Sequence, residues 1–140
     1  AVTRGDGYNG DDVTLNIKTI KSIPLQLKND FIDEFEIRGE IILPIAGFQN
    51  MNKERIEVGE DPYMNPRNTA SGSLKLQDSA EVAKRPLECL LYSIEGRNTG
   101  IETQFDNLNK ARSWGFKVPT AAKLVNSIDE VLEFINYKLY

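Results

Sequence analysis

Residues 65–75, Asn-Pro-Arg-Asn-Thr-Ala-Ser-Gly-Ser-Leu-Lys, gather the side chains best suited to hold an anion. Arg67, Lys75, two asparagine amides and three hydroxyls fall within these eleven positions, and Leu74 is the only aliphatic larger than alanine besides Pro66. A guanidinium offers a planar fork of donors, and small residues let backbone N–H groups come close to an anion. If the span is helical, Arg67 and Lys75 lie roughly 12 Å apart on nearly one face, a separation that could bridge neighbouring phosphates. The same composition fits a polar loop running into a helix capped by Asn68, Thr69 or Ser71. Lys84 and Arg85, just before Pro86, are either two more phosphate ligands or a solvated basic turn.

The chemistry open to the rest of the chain is narrow. There is no histidine, which removes Ser-His-Asp and Cys-His catalysis and every histidine metal site. The single cysteine, Cys89, lies among Leu87, Leu90 and Leu91 and reads as a small core residue. Arg4-Gly5-Asp6-Gly7 is compatible with a cell-adhesion tripeptide only in an exported setting. It also looks like a nucleophile motif with arginine in place of lysine, but a guanidinium stays protonated and cannot attack phosphorus. Glu40 ends a row of polar residues and could accept hydrogen bonds from two ribose hydroxyls, with Arg38 the natural partner to keep it ionised. Tyr92 lies in an apolar run, where it is either a core tyrosine or a ring available to stack on a base.

The elements that must carry these groups follow from periodicity. Ala1–Thr3 resembles the tail of a strand already under way, so the chain reads as a piece of something larger. Arg4–Gly10 is a turn with three glycines. Asp11 or Asp12 can cap a helix with Val13, Ile17 and Ile20 on its apolar face. Phe35–Leu43 alternates as a strand, with Phe35, Ile37, Gly39, Ile41 and Leu43 to one side and Glu36, Arg38, Glu40 and Ile42 to the other. Ile45–Val58 is a helix ended by Gly59. Ala70–Leu76 and Ser79–Ala83 are short helices. Leu87–Glu95 reads as a strand buried on both faces, Leu87, Cys89 and Leu91 opposing Leu90, Tyr92 and Ile94. After a turn at 96–100 come a helix over Thr103–Trp114 and a last helix opened by a Ser127–Glu130 capping box, with Ile128, Val131 or Leu132, Ile135 and Leu139 on one face. Helices and non-repeating strands in this mixture give an α+β class.

Length and charge bound the partners. The chain has 140 residues, enough for one domain with a real core, and 40% of them are hydrophobic, which excludes disorder. No apolar run approaches the ~20 residues of a membrane span, and residues 1–10 are too polar for a signal peptide. Net charge is −4. Residues 65–85 hold four basic and two acidic side chains, while the remainder holds thirteen basic and nineteen acidic. An acidic body with one basic tract can still touch a phosphate backbone locally.

Several of these strings, taken in order, resemble the adenylation (nucleotidyltransferase) domain of the bacterial NAD-dependent DNA ligases. They are Thr3-Arg4-Gly5-Asp6-Gly7, the run from Gly10 to Leu25, Ile37-Arg38-Gly39-Glu40-Ile41, Asn65-Pro66-Arg67-Asn68 through Gly72-Ser73-Leu74, Ala83-Lys84-Arg85-Pro86-Leu87 and Leu91-Tyr92. The resemblance implies residues 1–140 of a partial adenylation domain, with mixed or antiparallel sheets and flanking helices, truncated at both ends. It implies an enzyme of the bacterial cytoplasm, active in replication and repair, that adenylates its own lysine from NAD and releases nicotinamide mononucleotide. AMP then passes to the 5′-phosphate at a nick in duplex DNA before the 3′-hydroxyl is joined.

By that resemblance Arg4, Glu40 and Tyr92 contact the nucleotide: Arg4 its phosphate or ribose, Glu40 the ribose, Tyr92 the adenine. Arg67, Lys75, Lys84 and Arg85 meet phosphates or DNA. NAD and magnesium are the implied cofactors, and Glu40 is implied to help hold the metal. Nicked DNA, NAD or AMP and the other ligase domains are the implied partners. The family usually has arginine where Lys75 stands, so the bidentate fork is lost here. Its Lys-x-Asp-Gly nucleophile and its Asp-Gly-x-Val-Ile-Lys motif are not found and are expected before Ala1 and after Tyr140 respectively. A non-enzymatic nucleotide- or anion-binding module is the alternative.

Overall fold

The computed structural model describes residues 1–97 and 99–139, without the side chains of 138 and 139. Asn98, in the expected 96–100 turn, and the Leu139 side chain, on the expected face of the last helix, therefore lie outside the described residues. Eight elements follow one another: α1 (Thr14–Ile17), β1 (Glu36–Ile42), α2 (Ile45–Glu57), α3 (Pro66–Leu74), α4 (Ser79–Ala83), β2 (Glu88–Glu95), α5 (Gln104–Ser113) and α6 (Ile128–Leu139). The class is α+β, and among the described residues the sheet is a single antiparallel pair of β1 and β2. Ala1–Thr3 does not continue a strand; Val2 makes an isolated antiparallel bridge with Asp12.

The register of the pair holds the main departure from alternation. Ile37 faces Ile94 and Arg38 faces Ser93, but Gly39 faces Leu91, so Tyr92 is an extra residue on β2. This β-bulge shifts the phase of the pleat by one. Ile94 therefore joins Cys89 and Leu91 in the core, and Tyr92 is 44% exposed. The expected two-sided burial of β2, with Tyr92 opposite the core face beside Ile94, is corrected accordingly. Gly39 is required at the crossing. A Cβ there would come within 2.8 Å of the Leu90 carbonyl oxygen and within 3.0 Å of Cys89 Sγ.

The outer edge of β2 is covered by side chains and a loop rather than by a third strand. The Cys89 N–H donates to Ser22 Oγ at 2.8 Å and the Ile94 N–H to Asn107 Oδ1 at 2.9 Å. The Leu91 N–H donates to the Lys117 carbonyl at 2.9 Å, and the bulged Tyr92 carbonyl accepts from the Gln104 amide. Edge donors thus have partners and the strand offers no free template.

α5 packs Leu108 and Ala111 onto this strand and delivers Trp114, which is fully buried, with Phe35 at a 4.7 Å ring separation. Thr103 caps α5 through the Asp106 N–H, and Gly115 at φ 102° turns the chain out of it. α6 opens as expected, with the Glu130 N–H donating to Ser127 Oγ at 3.2 Å. Its apolar face, however, stands in solvent: Ile128, Leu132 and Ile135 are all exposed.

Candidate phosphate and nucleotide site

α3 begins earlier than its pattern of small residues indicates. Asn65, not Asn68, Thr69 or Ser71, is the cap: it is extended, and its Oδ1 accepts from the Asn68 N–H at 3.0 Å. Pro66 follows at the first helical position, where its fixed φ suits the helix and its missing N–H costs nothing. The helix then runs to Leu74, with Thr69, Ala70, Ser73 and Leu74 buried. Arg67 falls in the exposed first turn, and among the described residues its guanidinium has no protein partner. A cation beside the helix start, near its unpaired N–H groups, is a favourable setting for an anion.

Lys75 caps the far end of α3 and pairs with Asp11 at 2.9 Å, both side chains exposed. An exposed pair of this kind contributes ~0–1 kcal/mol, so Lys75 can exchange Asp11 for a phosphate at little cost. The same end is held from inside. Buried Asn16 donates to the carbonyls of Leu74 and Leu76 at 2.7 and 2.8 Å, closing carbonyls that the helix leaves open. Nothing in the apolar pattern pointed to Asn16; a lone asparagine between Val13 and Ile20 was its only signal.

The remaining basic residues are engaged differently. Lys84 Nζ meets Glu81 at 2.6 Å, and that hydrogen bond, followed by the Glu81 charge, raises its pKa. Arg85 is half-buried: Nη1 donates to Ser73 Oγ at 2.6 Å and Nη2 to the Tyr63 hydroxyl at 3.3 Å. Its guanidinium is thus directed at α3. The expected solvated basic turn fits Lys84 and does not describe Arg85. Tyr63 and Arg55, which complete this cluster, were not singled out from sequence. An aromatic ring between two arginines in an otherwise polar loop was the available signal.

On the sheet, Glu40 is exposed and lies opposite Leu90, beside the bulge that exposes Tyr92. An acceptor for ribose hydroxyls and a ring for a base therefore flank one irregularity of the strand pair. Arg38 does not serve Glu40. Its guanidinium pairs with Glu95 at 2.8 Å and reaches Glu36 at 4.0 Å, because Glu95 sits across the strands on the same open face. Arg4 is exposed, and among the described residues its side chain has no partner. Its turn is held by Asp6, whose Oδ1 accepts from the Asn9 and Tyr8 N–H groups at 2.7 and 2.8 Å and is thereby lowered in pKa. Gly5 has φ 54°, and a Cβ on it would lie 1.8 Å from the Asn9 carbonyl oxygen. An aspartate occupied in this way builds the turn and does not advertise an adhesion motif.

Cys89 is 5% exposed, and burial, then the Glu40 charge, pushes its thiol up to about 11. A thiol is nucleophilic as its thiolate, so the folded protein should alkylate far more slowly than denatured protein at pH 8. Mass spectrometry of iodoacetamide-treated samples reads this; equal rates would place Cys89 at the surface.

The architecture is that of an α+β domain whose sheet keeps one face open beside a cationic helix. The chain belongs to the NAD-dependent DNA ligase adenylation domain family, whose model matches residues 1–139. It is 70% identical over 137 residues to the DNA ligase of Christiangramia forsetii, a match covering 98% of this chain and 21% of that protein. The DNA ligase of Flavobacterium johnsoniae is 71% identical over 137 residues, with 98% and 20% covered. That of Parabacteroides distasonis is 51% identical over 138 residues, with 98% and 21% covered. The chain thus spans about a fifth of the length of the curated relatives it matches.

Proposed function

We propose that residues 1–140 are part of the adenylation domain of an NAD-dependent DNA ligase of the bacterial cytoplasm, which seals nicks in duplex DNA through a lysyl-AMP and an adenylated 5′-phosphate. The observation that carries this is the family match along residues 1–139. The relatives are named DNA ligase and extend roughly five times further, which disfavours a free-standing nucleotide-binding module. Among the described residues no helix is long and apolar enough to cross a membrane.

In this reading the chain supplies pocket walls and phosphate ligands. Glu40 accepts hydrogen bonds from the ribose hydroxyls, Tyr92 stacks on the adenine, and Arg4 meets the nucleotide's phosphate or ribose. Arg67 and Lys75 offset charge on the phosphates being transferred or held, in positions set before the reaction begins. Lys84, exposed and paired only with Glu81, and Arg85 face DNA phosphates. The nucleophilic lysine belongs to another part of the parent protein. Magnesium would accompany the nucleotide's phosphates, where one carboxylate such as Glu40 suffices alongside phosphate oxygens and water. Among the described residues no group of three or more acidic, cysteine or histidine side chains converges, so this chain builds no metal cage and no step is routed through the ion.

The test uses the parent enzyme with nicked duplex. Sealing should require NAD and release nicotinamide mononucleotide. Lys75→Ala should weaken DNA binding and lower the slope of log K against log salt by about 0.9, one phosphate contact in duplex DNA. Lys75→Arg should bind as well as wild type or better, since it restores a bidentate fork. Sealing without NAD would remove the assignment of the enzyme. An unchanged salt slope in Lys75→Ala would remove Lys75 from the phosphate ligands.

A further inference from the structure

The cluster around Tyr63 is built more tightly than a loop between two helices needs. Asn52 of α2 clamps both backbone atoms of Tyr63: its Oδ1 accepts from the Tyr63 N–H at 2.7 Å and its Nδ2 donates to the Tyr63 carbonyl at 3.0 Å. The ring then lies between two guanidiniums, Arg55 at 4.3 Å and Arg85 at 5.7 Å from its centroid. Both arginines also point an amine at the Tyr63 hydroxyl, at 3.4 and 3.3 Å. Arg55 is fixed from its other side by Glu60 at 2.7 Å and by the Asp61 carbonyl at 2.7 Å.

From Arg85 a continuous chain of hydrogen bonds runs back along α3. Arg85 Nη1 donates to Ser73 Oγ, and Ser73, completely buried, donates to the Thr69 carbonyl. Thr69 Oγ1 donates to the Asn65 carbonyl at 2.7 Å, and Asn65 caps the helix through the Asn68 N–H. Arg67 stands between the last two of these anchors.

We propose that Tyr63 is a positioning residue for Arg67: by holding Arg85 against Ser73 it sets the angle at which α3 presents the Arg67 guanidinium to a phosphate. The proposal rests on the reading of Arg67 as a phosphate ligand. Tyr63 itself touches neither nucleotide nor DNA. Its effect passes through the buried face of α3, and removing the ring frees Arg85 to leave Ser73.

A double-mutant cycle in the parent ligase tests it, with kcat and KM for nicked duplex measured for wild type, Tyr63→Ala, Arg67→Ala and the double variant. Tyr63→Ala should lower kcat by about tenfold and change KM by less than about threefold, because a misaimed ligand loses transition-state contact first. The double variant should be no slower than Arg67→Ala alone, since nothing remains to be aimed. Tyr63→Phe, which keeps the ring between the arginines, should stay within about threefold of wild type. If Tyr63→Ala does not fold, Tyr63→Leu takes its place in the cycle. Losses that multiply in the double variant, or a wild-type kcat for the Tyr63 variant, would overturn the positioning role alone. A wild-type kcat for Arg67→Ala would overturn it together with the phosphate reading beneath it.

Discussion

Arg67→Ala in the parent ligase slows nick sealing by about 10²–10³-fold, the cost of deleting one preorganised donor aimed at developing phosphate charge. The fold should hardly notice. Arg67 is exposed and, among the described residues, has no protein partner, so stability should stay within ~0.5 kcal/mol of wild type. A thermal melt beside a single-turnover sealing rate separates the two effects. A sealing rate equal to wild type would leave the helix start as a solvated turn and remove the central claim for residues 65–75.

The second large effect is expected at Glu40, on lysyl-AMP formation. Hydrogen bonds to a charged acceptor contribute ~1.5–3 kcal/mol, which corresponds to roughly 10- to 150-fold in rate if both ribose contacts are lost in Glu40→Ala. Glu40 has no ion pair among the described residues that its removal would strand, since Arg38 belongs to Glu95 and Glu36. The enzyme–AMP adduct, followed over seconds by intact mass, provides the measurement. An unchanged rate would make Glu40 an ordinary solvent-face carboxylate.

How much of this could be read from the residues depended on the range of the interaction. Periodicity located β1, α2, α4, α5 and α6 to within a residue or so, because each carries its own apolar stripe and its own stop, such as Gly59 or Gly115. Phase was harder. Residues 87–95 alternate without visible interruption, and only the partner strand shows that Tyr92 is the extra residue. That single insertion decides whether Tyr92 is a core ring or an exposed one. Partners across the sheet were equally out of reach: Arg38 is two residues from Glu40, yet it binds Glu95, 57 positions along. Arg85 looked like half of a basic pair, and its engagement with Ser73 and Tyr63 depends on a turn that brings distant segments together. The start of α3 was misread for a local reason. Thr69 and Ser71 are also good caps, and the Asn-Pro dipeptide ahead of them was the stronger signal.

The bonds from Asn16 to Leu74 and Leu76 bear on the order in which the molecule assembles. Those contacts span 58 and 60 residues, so the last turn of α3 is completed by a group that no local folding event can deliver. Closing so long a loop has an entropic cost that must be met before the reward is collected, which makes such contacts late in folding. α3 on its own has nine residues with glycine and three hydroxyl-bearing residues among them, too short and too weak a helix former to persist alone in water. The phosphate-facing helix is therefore a product of tertiary docking, not a preformed part. During synthesis from the N-terminus, Asn16 leaves the ribosome well before Leu74, so the group that closes the helix is waiting when the helix arrives.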